Sequence, residues 1–293
     1  MNSDTPLLIS SASRFGRRWI ARDRATMVAA LLLLMIAIPC ILSPLVAPHD
    51  PLAMPDPIDL KSMPPSDLYR LGTDKYSRDV LSRLLYGGRL SLSVAVIATL
   101  VSVTLGTAYG AAAGYSRGLL RATLDRVLDA LLSIPRLLLL IAIFYTWKDI
   151  DITRFMVILG VTGWYGVARL VRGQVLALKA QDFVASARAL GATPRRIFLR
   201  HVLPNVVTPV VVAATLGIGH VIVLEAGLSY LGIGVKVPTP SWGNMIHGGS
   251  DGIWGDWWMA LFPGMAIVLT VMAFNVLGDA LLRALHPRQQ ATG

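Results

Sequence analysis

LSLSVAVIATLVSVTLGTAYGAAAGYS, residues 90–116, contains no charged side chain. A run of this length exceeds the ~20 residues that a helix needs to cross a hydrocarbon core, and it is far too long for a strand. Three further windows repeat the pattern: Ala25–Pro48, Val202–Leu224 and Trp257–Gly278. Two others are less clean. Ala130–Trp147 is interrupted by Arg136, and Phe155–Ala168 reaches spanning length only with its flanks. The composition agrees, because 54% of the 293 residues are hydrophobic and 15% charged, against roughly 25% charged in soluble domains. We therefore expect an all-α, polytopic membrane protein with six transmembrane helices, at about 26–47, 90–115, 127–147, 153–171, 203–226 and 257–280.

Within the opening stretch, Gly106, Gly110 and Gly114 recur every four residues beside Ala111, Ala112 and Ala113. Small residues on one helical face let a neighbouring helix approach closely. The formal charge of +10 is spread rather than clustered. Of the 27 Lys and Arg, 17 fall before the first window, between the second and third, between the fourth and fifth, or after the sixth. That alternation puts both termini and the 182–205 segment on the cytoplasmic side. It also argues against nucleic acid, which needs a contiguous basic surface. Residues 1–25 then form a cytoplasmic tail leading into an uncleaved anchor, and 289–293 a second tail. Cys40 is the one cysteine and lies in the first span, so no disulfide or Cys-based metal site forms within the chain.

Residues 48–89 form the long outer loop. Pro48, Pro51, Pro55, Pro57, Pro64 and Pro65 make its first half irregular, whereas Asp79–Leu90 has helical spacing and is expected as an interfacial helix feeding span two. The loop 229–256 is rich in Gly, Pro and Trp. Trp242, Trp254, Trp257 and Trp258 fit a membrane–water boundary on the outer side.

Intrinsic chemistry is sparse. No phosphate-cradling G-x-x-x-x-G-K-[ST] and no H-E-x-x-H occur, and no catalytic residues are assigned. A metal site would need His49, His220 and His247 to converge, and none is expected.

The segment DFVASARALGATPRRIFLRHVLPN, residues 182–205, is a basic, helical-looking hairpin in this apolar setting. Asp182 is read as an N-cap, with Phe183, Val184, Ala187 and Leu190 as an apolar stripe. Gly191 occupies the position where a terminated helix turns left-handed. Thr193-Pro194 restarts helix as N-cap and first position. The physical object is two short helices joined at a glycine elbow.

The string A-S-A-x-x-x-G followed by R-H-V-L-P-N resembles the cytoplasmic signature E-A-A-x-x-x-G of permease subunits of binding-protein-dependent ABC importers. LGTDKYSRDVLSRLLYGGRLSL (71–92), LEAGLSYLGIG (224–234), PTPSWGNMI (238–246), LFPGMAI (261–267) and FNVLGDALLRALHPR (274–288) look like the dipeptide/oligopeptide/nickel branch of that family, and specifically its C-type permease. The resemblance implies the type I ABC importer permease fold in a bacterial inner membrane. It implies a homologous second permease as heterodimer partner, two ATPase subunits and a substrate-binding protein, with surrounding lipid. ATP and Mg would bind on the ATPase subunits and no cofactor on this chain. The 182–200 hairpin would be the coupling segment, with Ala185, Ser186, Ala187, Arg188, Gly191, Arg195 and Arg196 facing or supporting an ATPase. The sequence departs from the pattern at Ala185, where Glu is usual, at Ser186, where Ala is usual, and at Tyr76-Ser77, where an apolar residue and Gly are usual.

Two intramembrane charges remain. Arg136 either faces the translocation path, or pairs with Asp129 or snorkels to the cytoplasmic interface. Glu225 is either a carboxylate of the outer gate or a structural partner for the outer loop. Within the resemblance, nickel and glutathione are alternative cargoes to peptides. Outside it, a stand-alone secondary transporter or a membrane enzyme competes, and copurification of partner chains discriminates.

Overall fold

In a computed structural model, the described residues are 24–147, 150–250 and 255–285. Most of the expected N-terminal tail, the whole C-terminal tail and Trp254 lie outside them. Among the described residues the regular elements are all helices, with irregular stretches at 47–79 and 231–241 and one isolated bridge between Thr73 and Asp79. Helices long and apolar enough to cross a membrane number five among the described residues, or six if one sharply bent pair counts as a span.

The first is α1 (Arg24–Ile41), followed by the single turn α2 (Ser43–Val46). Helix α3 (Val80–Tyr115) is 36 residues long, about 54 Å at 1.5 Å per residue. The interfacial helix expected at 79–90 is therefore the first part of span two. Asp79 caps it by accepting a hydrogen bond from the Ser82 amide at 2.9 Å.

The expected span at 127–147 is broken. Helix α4 (Gly118–Leu132) and helix α5 (Arg136–Thr146) meet at 75°. Pro135 between them has no amide proton and holds Ile134 out of helical geometry. Helix α5, with 11 residues, reaches only about 16 Å and cannot cross alone. The next span consists of α6 (Ile152–Val161) and α7 (Trp164–Lys179), which pass Thr162-Gly163 nearly in line. It continues beyond the expected end at 171, so Arg169, Arg172 and Lys179 are helical rather than looped.

After the hairpin come α10 (Leu203–Tyr230), the short α11 (Trp242–Ser250) and α12 (Trp258–Leu285). Helix α3 packs along α7 where the glycines were noted. A Cβ on Gly106 would lie 2.6 Å from the Val167 Cβ, on Gly110 2.4 Å from the Ala168 carbonyl oxygen, and on Gly114 2.8 Å from the Val175 Cβ. Lipid is as apolar as leucine, so such close van der Waals packing, not hydrophobic expulsion, holds the pair.

At the end remote from the hairpin, residues 48–79 form a strap pinned to the bundle. Trp258 Nε1 donates to the Thr73 carbonyl at 3.1 Å, and Arg83 donates to the Pro51 carbonyl at 3.0 Å. Asp74 accepts from Arg78 Nε at 2.7 Å, with Arg83 Nε 3.5 Å away. Ser77 there has φ +62°, the left-handed region where the resemblance leads one to expect glycine. The tryptophans are not a boundary belt. Trp242 is completely buried, donating from Nε1 to the Leu84 carbonyl at 3.0 Å, and Trp258 is buried too; of the described tryptophans expected at the boundary, Trp257 alone is exposed. The indole N–H groups of Trp242 and Trp258 are used up inside the fold instead of reaching an interface.

Candidate functional site

The 182–205 segment folds as two short helices, α8 (Asp182–Ala189) and α9 (Pro194–Ile197), and a π-helical turn at Phe198–Val202 leads into α10. The cap of α8 is Gln181, not Asp182, which is the first helical residue. Its carboxylate still lies in the first turn, where the helix dipole favours negative charge. Gly191 has φ +80°. The Gly191 amide donates to the Arg188 carbonyl at 3.0 Å and the Ala192 amide to the Ala187 carbonyl at 3.1 Å. This is the paired-bond termination that a left-handed residue permits. Thr193 Oγ1 accepts from the Arg196 amide at 3.4 Å, with Pro194 in the first turn.

The hairpin is anchored by few side chains. Val184, Ile197 and Val202 are buried against Val171 and Val175 of α7, Val206 and Val210 of α10 and Ala111 of α3. Ala187 packs on this cluster half-buried. The expected apolar stripe is corrected on two points: Phe183 is exposed, and Leu190 is 88% exposed at the elbow. The elbow reverses the chain before Leu190 reaches the bundle, so its side chain projects outward. Ala185, Ser186, Arg188, Gly191, Arg195 and Arg196 are all exposed on the same projection.

A brace that the sequence did not announce ties the hairpin to the spans. Tyr115, the last residue of α3, donates from its hydroxyl to the Pro194 carbonyl, and its ring packs at a tilt against Phe198, centroids 5.0 Å apart. Lys179, the last residue of α7, donates to the Gly114 carbonyl at 2.9 Å and lies over the Tyr115 ring. The cation thereby satisfies carbonyls left open where α3 ends. Tyr115 and Lys179 are 64 positions apart, and only the tertiary packing of α3 on α7 brings them together.

Arg136 is placed by the break at Pro135. The pairing with Asp129 does not occur: Asp129 lies 3.3 Å from Arg169, while Asp125 makes a two-point pair with Arg172. The 75° turn carries Arg136 away from α4 and against α6, where Nη2 donates to the Leu159 carbonyl at 2.7 Å. The guanidinium lines a cavity of about 620 Å³ between α3, α5, the α6–α7 junction and α10. Glu225 lies elsewhere. It is fully buried and accepts from Ser91 Oγ at 2.8 Å and Ser229 Oγ at 2.7 Å. Those serines in turn accept from the Trp242 and Val235 amides, so the carboxylate organises the loop before α11. Of the histidines weighed as metal ligands, His220 lines the cavity, His49 contacts Asp79 at 3.4 Å, and His247 meets Tyr230 edge-to-face.

A helical membrane subunit with a broken central span and a protruding elbow is the type I ABC importer permease architecture. The chain is similar to one from an inward-facing crystal structure of the MetNI methionine ABC transporter (CY5 native crystal form), with TM-score 0.58 and 21% identity, covering 70% of this chain and 97% of that one. Residues 86–291 match the model of the binding-protein-dependent transport system inner membrane component, and the chain belongs to that family. It is 36% identical over 272 residues to the dipeptide transport system permease protein DppC of Bacillus subtilis, covering 92% of this chain and 84% of the relative. It is 38% identical over 274 residues to the glutathione transport system permease protein GsiD of Escherichia coli O1:K1, covering 94% and 89%. Membership implies ATPase and substrate-binding partners.

Proposed function

We propose that this chain is one of two homologous permeases of an ATP-driven importer for short peptides, lining half of the path and delivering no catalysis of its own. A binding protein presents the peptide at the strap end. ATP and Mg act on two ATPase subunits beneath the hairpin, and the alternation of basic loops along the sequence supports reading both termini on that cytoplasmic side. The observation that carries the reading is the elbow itself: a glycine-terminated turn that exposes Leu190, Arg188, Arg195 and Arg196 while three buried side chains anchor it to the spans. A rigid, basic projection with an apolar tip is suited to a groove on a partner.

Closure of the ATPase pair would move this projection, and the braced α3–α7 pair would carry the displacement into the bundle as a rigid element. The peptide assignment draws on the DppC relative, and glutathione, itself a tripeptide, is the second reading through GsiD. The test is purification of the chain from membranes followed by reconstitution. The expected outcome is copurification of a second permease and two ATPase chains, with ATP-dependent peptide uptake when loaded binding protein is added. Uptake driven by an ion gradient without ATPase chains would refute the proposal.

A further inference from the structure

The cavity behind Arg136 is built for an anion. It is lined by Thr99, Ser102, Arg136, Thr162, Tyr165 and His220 among apolar side chains, and none of the described residues lining it is acidic. Its volume of about 620 Å³ falls within the roughly 300–1,000 Å³ of small-molecule sites. Arg136 spends one N–H on the Leu159 carbonyl, and its buried Nε has no partner. Thr99 is 5% exposed and its hydroxyl is also without a partner, whereas Ser102 is satisfied by the Gly160 carbonyl at 2.8 Å.

Two helix starts converge here. Helix α5 begins at Arg136 after the N-cap position Pro135, and α7 at Trp164 after Gly163; neither first turn is capped by a side chain, and Pro135, Arg136, Gly163 and Tyr165 all line the cavity. Broken membrane helices present amide N–H groups and a positive dipole end to anionic cargo in this way. A guanidinium inside a span is costly unless something repays it, and a single carbonyl contact at 2.7 Å does so only in part.

We propose that Arg136, with Thr99, binds the C-terminal carboxylate of the transported peptide at a waystation in this cavity. The site rests on the importer reading above and narrows it. A bare metal cation finds no carboxylate or thiolate here, whereas a planar carboxylate meets a guanidinium fork and the apolar walls accept a side chain.

The test uses the assembled complex in proteoliposomes, comparing initial uptake of alanyl-phenylalanine with that of its C-terminal amide. Each is supplied at a concentration that saturates the binding protein. Arg136→Gln is expected to lower uptake of the free acid about tenfold or more, Arg136→Lys to retain most of it, and Thr99→Val to lower it several-fold. The amide should move slowly through the wild type and be indifferent to Arg136→Gln. Equal loss of acid and amide would make Arg136 a brace for the Leu159 carbonyl and overturn the site, as would undiminished acid uptake in Arg136→Gln. Should Arg136→Gln fail to assemble, Thr99→Val decides: selective loss of the acid supports the site and indifference refutes it. A wild-type complex that hydrolyses ATP yet imports neither peptide sinks the peptide reading and this site with it. Acid uptake indifferent to both positions sinks the site alone.

Discussion

Replacing Gly191 separates two reasons for having glycine at an elbow. Its φ of +80° is left-handed, and a Cβ built there meets nothing within 4 Å. The cost of a side chain within this chain is therefore conformational, not steric. For an ordinary L-residue, that conformation costs about 1–2 kcal/mol, and asparagine, which adopts it readily, avoids much of this. The two terminating hydrogen bonds, from Gly191 and Ala192 to Arg188 and Ala187, are what the penalty acts against. The three buried anchors remain in place. Gly191→Ala should consequently fold and insert, but populate the native elbow about 5- to 30-fold less favourably relative to open forms.

The assay is ATPase docking and initial peptide uptake for Gly191→Ala, Gly191→Leu and Gly191→Asn. Ala and Leu are expected to weaken docking by similar factors, because open space penalises neither volume, and Asn should lie near the wild type. If Asn is as damaging as Ala, the position needs smallness against a docked partner rather than a left-handed backbone. If Ala matches the wild type in both measurements, the elbow is not held by this residue and the coupling argument fails.

The other expectations concern the supports. Gly110→Val adds atoms 2.4 Å from the Ala168 backbone carbonyl, a contact that no rotamer relieves. The α3–α7 pair should separate, with loss of about 3 kcal/mol or more and little assembled complex recoverable in detergent; wild-type thermal stability would contradict this packing. Tyr115→Phe keeps the ring on Phe198 but removes the bond to Pro194, worth about 1 kcal/mol. ATP hydrolysis should continue while peptides imported per ATP decline, and an unchanged ratio would remove Tyr115 from the coupling path. Ser77→Gly relieves a left-handed serine whose buried hydroxyl has no partner, so thermal stability should rise by about 1–2 kcal/mol; a fall would mean that the hydroxyl is used.

Much of this was readable from one dimension. Charge-free windows give four of the spans, the four-residue glycine repeat gives a close-packing face without naming α7 as its partner, and Gly191 with Thr193-Pro194 gives the elbow and its restart. What escaped depends on where side chains meet. Nothing local distinguishes the Arg136–Asp129 pairing from the observed contact with Leu159, since the choice is made by a 75° turn whose angle Pro135 permits but does not set. Trp242 has the composition of a boundary residue, yet a serine-lined carboxylate and the Leu84 carbonyl draw it into the core. Asp182 has the chemistry of a cap but sits one residue too late, because Gln181 already supplies the acceptor carbonyl for the first turn.

The parts found only in three dimensions connect the parts found in one. Helix α3 carries Thr99 and Ser102 at the cavity and ends at Tyr115 on the hairpin, while α7 starts beside Gly163 at the cavity and ends at Lys179 on the same brace. From Thr99 to Tyr115 is about 24 Å along the helix, and over the inner part of that length the three glycines lock backbone against side chain and carbonyl. Two helices in such contact resist sliding, because any register change drives a Cα hydrogen into Val167, Ala168, Val171 or Val175. If the hairpin is the coupling segment proposed above, a displacement applied there would reach the cavity as movement of one wall, formed by α3 and α7, relative to Arg136 on α5, which turns 75° from α4 at the proline break and touches the neighbouring span through the Leu159 carbonyl. The wall that moves holds Thr99 and the start of α7, and the element across the break holds the guanidinium. On the proposed reading, a carboxylate bridging Thr99 and Arg136 would be gripped in one position of the hairpin and released in the other. This is why coupling and cargo variants should interact: Tyr115→Phe combined with Thr99→Val should cost less in uptake than the product of the two single effects, whereas independent sites would give the full product.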